Sequence, residues 1–119
     1  MSRHAVLVLS VDPLAAALIA ASVELSELAP HFAQQGESAR AALRRVRPRL
    51  VVIDCAHEEG CSDEFVGPAL MMGARTVLIR SHREPRAIDD FAERLGLRVF
   101  DMPQDHEELT RLFAELLAE

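Results

Sequence analysis

Arg47-Pro48-Arg49-Leu50-Val51-Val52-Ile53-Asp54 is the stretch that decides the fold. Four consecutive apolar residues without polar alternation, two of them β-branched valines, suit a strand covered on both faces, as in a parallel sheet packed between helices. Asp54 closes the run with a carboxylate. Runs at Ala5 to Leu9, at 77–79 and at 99–100 have the same character, and a weaker, more polar segment at 31–34 suits an edge strand.

Helical spacing fills the intervals. Leu14, Leu18, Ala21, Leu25 and Leu28 fall on one predicted face, and Ala39, Ala42, Leu43 and Val46 on the next. Ile88, Phe91, Ala92 and Leu95 form a later stripe, followed by Leu109, Leu112, Phe113, Leu116 and Leu117. Asp12-Pro13 reads as an N-cap with proline in the first turn, Gly96 as a helix stop, and Asp105 with Glu108 as a capping box. Gly67-Pro68 predicts a short or kinked third helix within 62–72. Strand and helix therefore alternate five times, which implies an α/β chain with helices on both sides of a parallel sheet.

A length of 119 residues, half of them hydrophobic, fits one domain over 1–119. The net charge of −6 disfavours general affinity for nucleic acid or anionic membranes. All thirteen basic residues are Arg, so no lysine is present for a Schiff base, a P-loop or a phosphoryl contact. Tyr and Trp are also absent, which argues against an aromatic base-stacking platform. Five residues separate Cys55 from Cys61, too many for a zinc knuckle or a thioredoxin-type pair, and both read as reduced thiols. With neither a signal-peptide core nor a spanning apolar stretch, the expectation is a soluble, cytoplasmic protein.

Function in an open parallel sheet collects at the carboxyl ends of the strands. The polar candidates there are Ser10 and Asp12, Asp54, Ser81, and Asp101 in the Asp101-Met102-Pro103 segment. Here the chain resembles the receiver domain of bacterial response regulators, in a degenerate, pseudo-receiver form. Pro48 to Asp54 is similar to that family's phosphoacceptor strand, and Val77-Leu78-Ile79-Arg80-Ser81 to the strand ending in its hydroxyl. Met102-Pro103 resembles its Lys-Pro dipeptide, and Gly36-Glu37-Ser38-Ala39 with Leu43 its turn into helix two. The resemblance implies a flavodoxin-like, three-layer (βα)5 sandwich with strand order 2-1-3-4-5.

It also implies site residues, with departures. Asp54 takes the phosphoacceptor position and Ser81 that of the phosphoryl-contacting hydroxyl. The paired acids that hold Mg²⁺ in the family read Ser10 and Val11 here, with Asp12 one place late as the only remaining metal candidate. Met102 stands at the lysine, Val99 at the switch aromatic, and Cys55-Ala56-His57-Glu58 replaces the Met-Pro turn. Phosphoryl transfer depends on cations and donors around the transferred group, and losing one preorganised donor costs a factor of about 10²–10³. The expectation is a non-enzymatic interaction module in two-component signalling, with no cofactor and with Mg²⁺ only if phosphorylation survives. Asp54 then remains a phosphoacceptor, a hydrogen-bonding group bracing the loops, or a plain strand-end acid.

Two other functions stay open: phosphorylation of Asp54 by a partner histidine kinase, and small-ligand sensing in the strand-end cleft. In receivers the fourth helix, fifth strand and fifth helix form the output and dimer face, which would span 85–117 here. Arg86, Asp89, Asp90, Glu93 and Arg94 are its charges, with Asp90 and Glu93 the candidate interface residues for a protein partner or a homodimer. His57 and His82 with Asp54 and Cys55 could offer ligands to a transition metal, and Cys55 could be redox-active, although exposed loop histidines and a buried, inert thiol are the simpler readings. Arg40, Arg44 and Arg47 make a local basic patch, most simply a solvated helix face.

Overall fold

A computed structural model describes residues 4–81 and 88–119. The elements run β1 (Ala5–Leu9), α1 (Pro13–Leu25), β2 (Ala29–Phe32), α2 (Ala39–Val46), β3 (Leu50–Asp54), α3 (Asp63–Met71), β4 (Arg75–Ser81), α4 (Asp89–Leu95), β5 (Arg98–Met102) and α5 (His106–Ala118). The strands form one parallel sheet ordered β2-β1-β3-β4-β5. This is the flavodoxin-like order, and it places β1 and β3 side by side, where the direction of winding reverses.

The unbroken apolar runs have a direct structural cause. Leu7 and Leu9 of β1 with Val51 and Ile53 of β3 enter one core, against Ala42, Leu43, Phe65, Val66 and Ala92 of α2, α3 and α4. Val6 and Val8 with Leu50 and Val52 enter the other, against Ile19, Val23, Leu109, Leu112 and Phe113 of α1 and α5. Each central strand thus spends alternate side chains on two different cores, and both sets are apolar.

Several boundaries differ from the sequence pattern. β2 occupies Ala29–Phe32, two residues earlier than the polar segment suggested, because pairing starts at Ala5↔Ala29. α3 is a nine-residue helix that keeps Pro68 inside it, held by buried Phe65, Val66 and Ala69. Leu117 is 41 % exposed, so the α5 stripe ends at Leu116.

The larger correction concerns α1. Its buried residues are Ile19, Ala20 and Val23, whereas Leu14 and Leu18 of the expected stripe are 68 % and 62 % exposed. Leu25 is also exposed, Ala21 faces solvent, and Leu28 is buried only beyond the helix end. The helix is apolar on nearly every side, so periodicity cannot tell which side meets the sheet.

Helix ends follow local chemistry. Asp12 caps α1, its Oδ1 accepting from the Leu14 N–H at 3.0 Å with Pro13 in the first turn. Gly96 ends α4 in the left-handed region at φ 68°. Asp105 precedes α5 but makes no side-chain cap; its Oδ2 instead accepts from the Asp101 N–H at 2.8 Å, so the expected capping box does not form.

Candidate functional site

The central strand delivers Asp54 to the carboxyl edge of the sheet. Leu9↔Ile53 is the last paired position of β1 and β3, so Ser10 and Asp54 emerge together. Ser10 Oγ donates to Asp54 Oδ2 at 2.9 Å, and the Ala56 N–H donates to Oδ1 at 3.1 Å. The half-buried carboxylate thereby ties the loop after β1 to the turn after β3. No cation pairs with it among the described residues.

The turn itself is tightly built. The His57 N–H donates to the Asp54 carbonyl at 2.8 Å, and the Gly60 N–H donates to His57 Nδ1 at 2.9 Å. A Cβ on buried Gly60 would come within 3.0 Å of both His57 Nδ1 and Leu9 Cδ1, which explains glycine there. His57 thus commits a ring nitrogen to the loop. Cys55 and Cys61 are both buried in the core. Among the described residues no three His, Cys, Asp or Glu side chains gather in a way that could hold a metal ion.

The remaining candidates separate. Val11 is 62 % exposed, and Asp12 is occupied as the cap of α1. Ser81 ends β4 opposite Met102 in register. The expectations for the Ser81 hydroxyl, for His82 and for Arg86 lie outside the described residues, as does the start of the 85–117 face. Met102, joined to Pro103 by a cis peptide, lines a cavity of about 130 Å³ with Leu18, Ile19, Ile79 and Asp54. An apolar thioether therefore sits where the resemblance places an ammonium.

Arg80 was not legible as a site residue. Its Nε donates to Asp101 Oδ1 at 2.7 Å and its Nη2 to Oδ2 at 3.2 Å, while Nη1 reaches Asp89 Oδ1 at 3.1 Å. One guanidinium so binds β4, β5 and the start of α4 together. The hydrogen bonds from Arg80 hold the Asp101 carboxyl below the usual carboxylate range, and those to Asp101 raise the Arg80 guanidinium. The signal available in sequence was an Arg and an Asp that a parallel β4–β5 register would place opposite one another.

Charges on α4 divide in two. Asp89 belongs to Arg80, and Arg94 forms a forked pair with Asp63 of α3 at 3.0 and 3.3 Å. Asp90 and Glu93 are exposed and enter no ion pair among the described residues. On α2, Arg45 is drawn back to Glu37 at 2.8 Å and to the Phe32 carbonyl, leaving Arg40 and Arg44 as exposed cations.

Comparison by sequence finds no matching family model and no matching curated protein. Comparison by structure gives a clear result. A response regulator receiver protein from Burkholderia phymatum superposes with a TM-score of 0.71 at 18 % identity, over 98 % of this chain and 96 % of that one. This is the receiver fold. The signal receiver domain of a DNA-binding response regulator from Colwellia psychrerythraea gives 0.74 at 17 % identity, over 98 % and 99 % of the two chains. The receiver domain of a sensor histidine kinase from Pseudomonas aeruginosa, which carries a magnesium ion in its active-site cleft, gives 0.70 at 17 % identity over 100 % of both. Against the receiver fold, Asp54 lies at the carboxyl end of the central strand with a serine beside it. Among the described residues no helix is long and apolar enough to cross a membrane.

Proposed function

We propose that this chain is a receiver-fold signalling module that works by docking to a protein partner, with its strand-end site serving as a structural joint. The observation that carries this reading is the 2.9 Å hydrogen bond from Ser10 Oγ to Asp54. A hydroxyl, which cannot neutralise a dication, occupies the place of a metal-binding acid and spends its proton on the neighbouring carboxylate. Asp12, the other candidate, accepts from the backbone of α1. This donor set does not fit Mg²⁺, which takes carboxylates, waters and phosphate oxygens in an octahedron. Without a metal or a lysine, charge on an incoming phosphoryl group would meet little but neutral donors among the described residues, so in this reading the module performs no phosphoryl chemistry of its own.

The fold has been kept although this site has changed, which supports a role for its surface. Asp90 and Glu93 leave α4 with negative charge that is unpaired among the described residues, while Arg80 braces the β4–β5–α4 corner beneath them, a rigid base for a complementary partner. The partner is a protein of a two-component pathway in the cytoplasm, or a second copy through α4, β5 and α5, and neither nucleic acid nor membrane. Titration with Mg²⁺ tests the reading: amides of residues 10–12 and 54–56 stay in place. Saturable shifts confined to those residues would favour a second reading, phosphorylation of Asp54 by a partner histidine kinase. The position of Asp54 at the end of β3 speaks for that second reading.

A further inference from the structure

The amino-terminal edge of the sheet, at the other end of the strands from Asp54, carries a step. β4 begins at Arg75 but its pairing with β5 begins only at Val77↔Arg98, so Arg75 and Thr76 have no β5 partner. A cavity of about 300 Å³ lies at this step, walled by Leu70 at the end of α3, Leu97 before β5 and Leu112 of α5. That is the lower end of the range of small-molecule sites, roughly 300–1,000 Å³, so its occupant is small. Three charged residues share the lining: Arg75, Arg98 and Glu115.

Arg75 is already matched, its Nη1 donating to Glu119 Oε2 at 3.0 Å. Arg98 and Glu115 differ. They line the same cavity, yet neither enters an ion pair with the other or with any other described residue. The Arg98 guanidinium lies over the Phe100 ring, 4.5 Å from its centre. Stacking uses the face of the guanidinium and leaves its N–H edge for an acceptor.

We propose that this cavity binds a small zwitterion, an α-amino acid with an apolar side chain. Its carboxylate meets Arg98, its ammonium meets Glu115, and its side chain lies among Leu70, Leu97 and Leu112. An anion alone would leave Glu115 unmatched, a cation alone would leave Arg98, and a neutral molecule would leave both. A guanidinium edge meets a carboxylate through paired, charge-assisted hydrogen bonds, roughly twice as strong as neutral ones. The leucine walls favour a hydrocarbon side chain over a polar one. The site involves neither Asp54 nor the Asp90 and Glu93 face, so its failure would leave the docking reading untouched.

Amide shifts of the full chain titrated with L-leucine test the assignment, beside 4-methylpentanoate, which lacks the ammonium, and 3-methylbutylamine, which lacks the carboxylate. Leucine should give saturable shifts centred on Leu97, Arg98 and Glu115, and each truncated analogue should bind at least tenfold more weakly. Arg98→Gln should remove the advantage of leucine over the amine, and Glu115→Gln its advantage over the carboxylate. Both side chains are exposed, so the two variants should keep the wild-type far-ultraviolet circular dichroism. Equal affinity for leucine and either analogue in the unaltered chain, shifts centred elsewhere, or no saturation below about 10 mM would overturn the proposal.

Discussion

Arg80 on β4 and Asp101 on β5 stand opposite one another in register, and the arginine holds both carboxylate oxygens. Because Asp101 titrates lower in the folded chain than in the unfolded one, the native state binds fewer protons there. The pair therefore stabilises the fold above the ordinary carboxylate range, and that contribution is lost as pH falls through the lowered value. Glu37 behaves alike: its hydrogen bond with Arg45, aided by the Gln34 N–H, brings it to about 2. Its contribution fades between about 4.5 and 2. Urea unfolding from pH 7 to 2.5 should show a falling midpoint below about pH 4.5, with a shallower fall in Asp101→Asn and in Glu37→Gln. Identical pH profiles for all three proteins would refute this assignment. Added salt should shrink the Glu37 effect, since that pair lies at the surface.

Ser10 and Asp54 should prove energetically coupled. Ser10→Ala is expected to cost about 1 kcal/mol, as for one part-buried hydrogen bond, and Asp54→Asn a similar amount. The double variant should lose less than the sum, and the difference measures the joint. Strict additivity would mean that the two side chains do not hold one another in solution.

Thr76 gives a test in the opposite direction. Its Oγ1 is buried without a hydrogen-bond partner among the described residues. Thr76→Val removes that unsatisfied oxygen at almost constant shape, and should raise stability by about 1 kcal/mol. A loss of stability would show that the hydroxyl has a partner, such as an ordered water.

Reversing charge at Asp90 and Glu93, with arginine at both, should weaken partner capture or self-association about tenfold or more. Far-ultraviolet circular dichroism and Tm should barely change, because both side chains are exposed. Unaltered complexes, together with loss on substituting Arg40 and Arg44, would move the interface to α2.

What the sequence revealed and what it hid follows from which interactions are local. Leu50 to Ile53 announced a central parallel strand because both neighbouring cores demand apolar side chains. Asp12-Pro13 and Gly96 marked helix ends because capping is decided within a few residues. The buried side of α1 was hidden, since Leu14, Leu18, Ile19 and Val23 are equally apolar and only the sheet chooses among them. At the candidate site, Asp54 was legible as the acid ending β3. Its bond to Ser10, 44 residues away, needed the β1–β3 register, as the Arg80–Asp101 fork needed that of β4 and β5. Asp105 shows the same limit: Glu108 suggested a reciprocal cap, but the Asp101 N–H takes the carboxylate.

Asp54 is the residue on which any phosphoryl chemistry of this chain would appear. The full chain, incubated with Mg²⁺ and acetyl phosphate and then with a phosphorylated histidine kinase, can be weighed intact before the acyl phosphate hydrolyses. With Ser10, Val11 and Met102 around the carboxylate, the predicted spectrum is the unmodified mass alone, and beryllofluoride with Mg²⁺ should likewise leave the amide spectrum unchanged. A stoichiometric gain of one phosphoryl group, abolished by Asp54→Asn in a variant that still folds, would contradict it.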